Sequence, residues 1–122
     1  MAKTYAREIE RLRRICMAMP EATERLSHGE PTWFVGKVFC MLSNNHHNEG
    51  NVGFNAPAPP GVQAAMIDED PARFYRPKYV GPSGWIGVRL DVDPDWDEIA
   101  AIVEEAYRLV APKRLVKLLD AE

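Results

Sequence analysis

The apolar residues of this chain repeat with one period at its ends and another in its middle, and that switch limits the folds open to it. Tyr5, Ile9, Leu12, Cys16 and Met19 follow one another at steps of three and four. Such a stripe marks one face of a helix over residues 4–19, and Pro20 stops it. Beyond the proline the steps shorten to two. Residues 21–27 are a weak strand candidate, His28-Gly29-Glu30-Pro31 reads as a turn, and residues 32–35 and 37–42 form two strand-like runs hinged at Gly36-Lys37. A polar turn over residues 43–51 leads to a short strand at 52–55. The centre of the chain is thus a three- or four-stranded antiparallel meander.

The helical period then returns. After the proline-rich break at 56–61, residues 62–68 read as a short helix with Val62, Ala65 and Met66 facing inward, and Pro71 ends it. Residues 72–83 are loop-like, 84–92 a strand, and 95–110 a long helix whose buried stripe is Trp96, Ile99, Val103, Ala106 and Val110. Asp95 with Glu98 makes a capping box, and Asp93 followed by Pro94 offers a second possible start. After Pro112, Leu115, Leu118 and Leu119 dock a last helical turn or two. At 122 residues, with no repeat and no linker, this is one domain over residues 1–122. Helix, meander, helix, a strand or two and helix make an α+β fold: a two-layer sandwich whose antiparallel sheet carries its helices on one face.

One stretch bears directly on function. In Gly84-Trp85-Ile86-Gly87-Val88-Arg89-Leu90-Asp91 the alternation sends Ile86, Val88 and Leu90 to the core. Trp85, Gly87 and Arg89 then look out from the uncovered side of the sheet. An aromatic plane and a guanidinium flanking a residue without a side chain offer a ligand close access to backbone, and Gly53 and Asn55 extend that surface on a neighbouring strand. Arg76, Lys78 and Tyr79 on the preceding loop, with Lys113 and Arg114 beyond the long helix, are the expected positive rim.

Other chemistries find less support. The net charge of −3 supplies no general basic field for nucleic acid, and the basic face of the first helix, Arg7, Arg11 and Arg14, reads as solvated. No apolar run is long enough to span a bilayer and the N-terminus carries no secretory pattern, so a cytoplasmic location is expected. Cys16 and Cys40 have neither metal-ligand nor redox-motif spacing and read as reduced core thiols. His46 and His47, adjacent in a polar turn, lack the further converging ligands a metal needs. The acidic run from Asp91 to Glu98 has Trp96 and Ile102 where a calcium loop needs glycine and glutamate. Helix capping accounts for it. With no nucleophile elbow, P-loop or dinucleotide glycine pattern, neither a catalytic residue nor a cofactor is assigned.

Several segments together resemble the MmcQ/YjbR family: Leu26-Ser27-His28-Gly29-Glu30-Pro31-Thr32-Trp33, Gly36-Lys37-Val38-Phe39, Asp70-Pro71, the Gly84–Asp91 stretch, Trp96-Asp97-Glu98, and the run from Ala106 to Arg114. The resemblance extends from about residue 5 to 119. His28 departs from it, standing where related sequences often have an aromatic residue. The family implies one α/β domain of helix, three strands, helix, two strands and helix, related to type III secretion chaperones and likened to frataxin-type (CyaY-like) proteins. Its members are commonly described as predicted DNA-binding proteins with a double-wing motif, and it brings no catalytic residues. Two readings of the outward surface follow: DNA binding through Arg76, Lys78, Arg89, Lys113 and Arg114, or a protein-interaction or homodimer face anchored on Trp85. Small-molecule or metal binding is a third, and iron binding on the acidic Asp91–Glu98 edge, which the likeness to frataxin-type proteins implies, is a minor alternative.

Overall fold

The computed structural model describes residues 5–44 and 52–121. The elements, in chain order, are α1 (Ala6–Met17), β1 (Thr23–Ser27), β2 (Glu30–Val35), β3 (Lys37–Asn44), β4 (Val52–Ala56), α2 (Val62–Glu69), β5 (Phe74–Tyr75), β6 (Ile86–Arg89), α3 (Trp96–Val110) and α4 (Lys113–Asp120). The six strands form one antiparallel sheet in the order β1-β2-β3-β4-β6-β5. The α+β architecture expected from the period switch is therefore present, with four strands before α2. The weak candidate after Pro20 is a full edge strand, and the last helical turns are a separate helix.

Turn chemistry sets the register. The β1–β2 hairpin closes over His28 and Gly29, both at positive φ (54° and 81°), the pair of left-handed residues that a two-residue type I′ turn demands. Between β2 and β3 only Gly36 intervenes, with φ 79°. Farther along this pair the register shifts by one residue, leaving Phe39 without a partner between the Phe34–Val38 and Trp33–Cys40 pairs. This bulge brings Phe39 as well as Cys40 to the helical side, where the Phe39 ring meets Tyr107 edge-on with centroids 5.5 Å apart.

The core lies between the sheet and α1 and α3. Across the strands the buried row Leu42, Phe54, Val88 and Phe74 faces the helices, and Leu12 and Cys16 of α1 with Ile99, Val103, Ala106 and Tyr107 of α3 complete it. Tyr107 is wholly buried and donates its hydroxyl hydrogen to the Pro20 carbonyl at 2.7 Å. Asp95 is the cap of α3, accepting from the Glu98 amide. In α2 the inward residues are Met66 and Ile67, whereas Ala65 is exposed. Leu115 anchors α4, while Leu118 is 54% exposed. Ser43 and Asn44, expected in a turn, belong to β3. Cys16 and Cys40 are both buried and unbridged, and burial, with the neighbouring Cys16 thiol, pushes the Cys40 thiol well up. His46 and His47 lie outside the described residues.

One polar junction crosses the two layers. Glu24 of β1 accepts from the indole N–H of the fully buried Trp33 at 2.9 Å and from Arg13 of α1 at 2.7 Å, while Arg13 also binds Glu10 at 2.6 Å. Removing the carboxylate leaves a buried N–H unsatisfied, which costs about 1–3 kcal/mol. Urea unfolding of Glu24→Ala is therefore expected to show that loss. Glu24→Gln, whose amide oxygen still accepts from Trp33, is expected to lose less, and equal losses would locate the effect elsewhere.

Candidate functional site

Residues paired across the strands share a face of the sheet. The row facing away from the helices runs Arg25, Thr32, Met41, Asn55, Gly87 and Tyr75 across all six strands, with Ser43, Gly53 and Arg89 beside it. This is the face the alternation in 84–91 points to. It is not bare where the sequence places an opening. The Tyr75 ring lies against Gly87 so closely that a Cβ there would overlap it, and the Tyr75 hydroxyl donates to Asn55 Oδ1 at 2.9 Å. The gap that the missing side chain leaves is filled from within the protein.

The opening lies over the next two strands, β4 and β3. Between the β1–β2 hairpin and residues 78–80 is a cavity of about 420 Å³, a size within the range of about 300–1,000 Å³ found for small-ligand sites. Met41, Ser43 and Asn55 line it from the sheet, Ser27, His28 and Glu30 from the hairpin, and Lys78, Tyr79 and Val80 from the loop that leaves β5. Glu30 Oε2 accepts from the Asn44 amide at 3.1 Å, and the Ser27 hydroxyl lies 3.2 Å from His28 Nδ1. Tyr79 is 78% exposed and holds a left-handed backbone, φ 66°. Side chains of that bulk rarely adopt such a conformation. At the β1 end of the same face the Arg25 guanidinium stacks 4.0 Å over the Phe34 ring.

The seven residues expected to form one surface do not gather. Lys78 and Tyr79 border the cavity together. Arg76 is exposed on the same loop, its aliphatic stem laid along Gly81. Trp85 is half-buried, and its carbonyl, like that of Gly81, accepts from the Gln63 side chain. Arg89 binds Asp91 through two hydrogen bonds of 2.9 and 3.0 Å. Lys113 and Arg114 open α4, and Arg114 pairs with Glu21 at 2.9 Å. Glu21 lies two residues before the start of β1, at the sheet edge opposite β5 and β6, so these cations are separated from Trp85 by the width of the sheet.

Sequence reasoning passed over Met41, Ser43, Glu30 and His28 as cavity residues. Alternation through 37–44 carries part of that information, because Met41 and Ser43 fall opposite Cys40 and Leu42. What it lacks is the return of residues 78–80 over the sheet. Among the described residues, no group of three or more histidine, cysteine, aspartate or glutamate side chains is placed to hold a metal ion, and no helix is long and apolar enough to cross a membrane.

The fold and this face define a two-layer α+β protein with a ligand-sized cavity on the outer side of its sheet. The family model described as YjbR matches residues 17–109, and the chain belongs to the YjbR family. Its structure is similar to the crystal structure of Deinococcus radiodurans protein DR2400, a DUF419 domain, with a TM-score of 0.71 covering 92% of this chain and 87% of that one. At 15% identity the likeness is one of fold. No curated protein matches the chain.

Two variants test the closed part of this face. Gly87→Ala forces the Tyr75 ring away and is expected to cost about 1–3 kcal/mol, the usual penalty of overpacking. In a double-mutant cycle with Tyr75→Ala the two losses are expected to be less than additive. Asp91, 9% exposed at its side chain, experiences burial that raises its pKa. The hydrogen bonds from Arg89 and the Val52 amide outweigh that burial and leave the pKa below the usual aspartate range. A carboxylate depressed in this way stabilises the fold above its unfolded pKa, about 4, and the contribution is lost as the pH falls below that. Asp91→Asn is therefore expected to lower stability at neutral pH and to shrink the further loss between about pH 5 and pH 3. An unchanged acid limb in urea titrations would place the sensitivity in other groups.

Proposed function

We propose that this protein binds single-stranded nucleic acid on the outer sheet face, with an unstacked base at the cavity and the strand's phosphates on its rim. The observation that carries this reading is the exposed Tyr79 ring beside Lys78 at the mouth of a 420 Å³ cavity. An aromatic plane next to a cation, over an opening of ligand size, is what a base and its phosphate require. Arg25 on Phe34 offers a second charged aromatic step on the same face. A duplex fits less well. It needs a broad basic surface, and on this chain of net charge −3 the guanidiniums of Arg89 and Arg114 are already matched to carboxylates.

Fluorescence anisotropy with labelled oligothymidine, and with a duplex of equal length, tests the reading at two salt concentrations. The single strand is expected to bind more tightly, and its affinity to fall as salt rises through release of counterions. Tyr79→Ala is expected to weaken binding by about 1–3 kcal/mol, the contribution of one base stacked on an aromatic ring. Lys78→Ala is expected to reduce both the affinity and the salt slope. The reading fails if neither DNA binds at low salt, or if both variants bind as the wild type does.

A further inference from the structure

On the helical layer, away from the cavity, α1 carries Arg7, Arg11 and Arg14 at successive positions of one exposed face. Side chains at such spacings lie one above another along a helix. They border a groove of about 1,070 Å³ between α1 and the start of α3, which Ile15, Ala18 and Trp96 also line. The Arg11 guanidinium stands 4.7 Å over the Trp96 ring.

This cluster departs from the way the chain treats its other arginines. Arg13, Arg73, Arg89, Arg108 and Arg114 are all ion-paired, and Arg25 is stacked on Phe34. Among the described residues Arg7 and Arg14 have neither an ion pair nor a ring contact, and the one other such arginine, Arg76, lies along Gly81. In an acidic chain, two unmatched guanidiniums and one on a tryptophan thus share one helix face beside apolar surface.

We propose that this groove docks an acidic, amphipathic segment of a partner protein. Charge complementarity supplies the sign: carboxylates one helical turn apart on the partner would meet Arg7, Arg11 and Arg14 in turn. The apolar side of the segment would cover Ile15, Ala18 and the exposed part of Trp96. Tryptophan and arginine are the residue types that anchor protein interfaces. A nucleic-acid backbone suits the groove less well, because Glu8 and Glu10 share its lining and would oppose a continuous line of phosphates. A peptide meets them with discrete charges. The inference is independent of the nucleic-acid reading, since the groove and the cavity lie on opposite faces of the sheet.

The probe is a fluorescein-labelled helical peptide with glutamates at i, i+4 and i+7 on one side and leucines beside them. Its control is the same peptide with lysines in place of glutamates. The glutamate peptide is expected to bind the full chain at low salt, to weaken as salt rises, and to bind about tenfold less tightly to the Arg7→Glu/Arg14→Glu variant. Both positions are exposed, and circular dichroism confirms that the variant is folded. Arg14→Ala, which removes one charge without adding another, is expected to give a smaller loss, and Tyr79→Ala none. The proposal is overturned if the glutamate peptide does not bind. It is equally overturned if the lysine peptide binds as well, if the double variant binds as the wild type does, or if oligothymidine displaces the peptide.

Discussion

The contact between the Tyr75 ring and Gly87 decides what the outer face of this protein can do. Glycine at 87 lets an aromatic side chain from a two-residue edge strand lie flat against the neighbouring strand, and the Tyr75 hydroxyl reaches Asn55 one strand further on. β5 is too short to hold much by backbone pairing alone, so this ring and the inward Phe74 secure it to the sheet. The loop leaving β5 starts from that anchor. It passes through buried Pro77 and brings residues 78–80 to the cavity. A closed patch at β6 and an opening over β3 and β4 have the same origin.

Charge is the second organising constraint. The chain has 15 lysines and arginines against 18 aspartates and glutamates, and the structure matches half of its ten guanidiniums locally, among them Arg13 to Glu10 and Glu24, Arg73 to Asp70, and Arg108 to Asp120. Exposed pairs of this kind add little to stability. Their larger effect is to remove positive potential from the surface, so Arg7 and Arg14, which have no carboxylate partner among the described residues, stand out against a neutralised background.

The fold was legible because hydrophobic period is a local signal. Alternation and helical stripes placed the first helix, the central strands, the strand read at 84–92, of which Ile86–Arg89 is β6, and the long helix, since each buries one face against the same core. The family resemblance rested on residues with structural duties visible here, such as the Gly84–Asp91 strand and buried Tyr107. The errors have a common source. Alternation says which face a side chain occupies but not what else covers that face, so the bare backbone at Gly87 could not be distinguished from one roofed by Tyr75. Proximity in sequence likewise placed Arg89 beside Lys78, although Arg89 turns to Asp91. Lys113 and Arg114 were misplaced because the direction of a chain leaving a long helix is fixed by tertiary contacts, here Leu115 in the core and Arg114 on Glu21.

The β-bulge at Phe39 bears on how the two faces of the sheet relate. The extra residue in β3 sends both Phe39 and Cys40 toward the helices, while Met41 keeps its place at the cavity. Consecutive residues of a single strand thus touch the packing of α3 on one side and the floor of the opening on the other. Any sliding of that strand would therefore disturb both compartments at once: the seat of the Tyr107 ring and the floor under Met41 cannot be repacked separately.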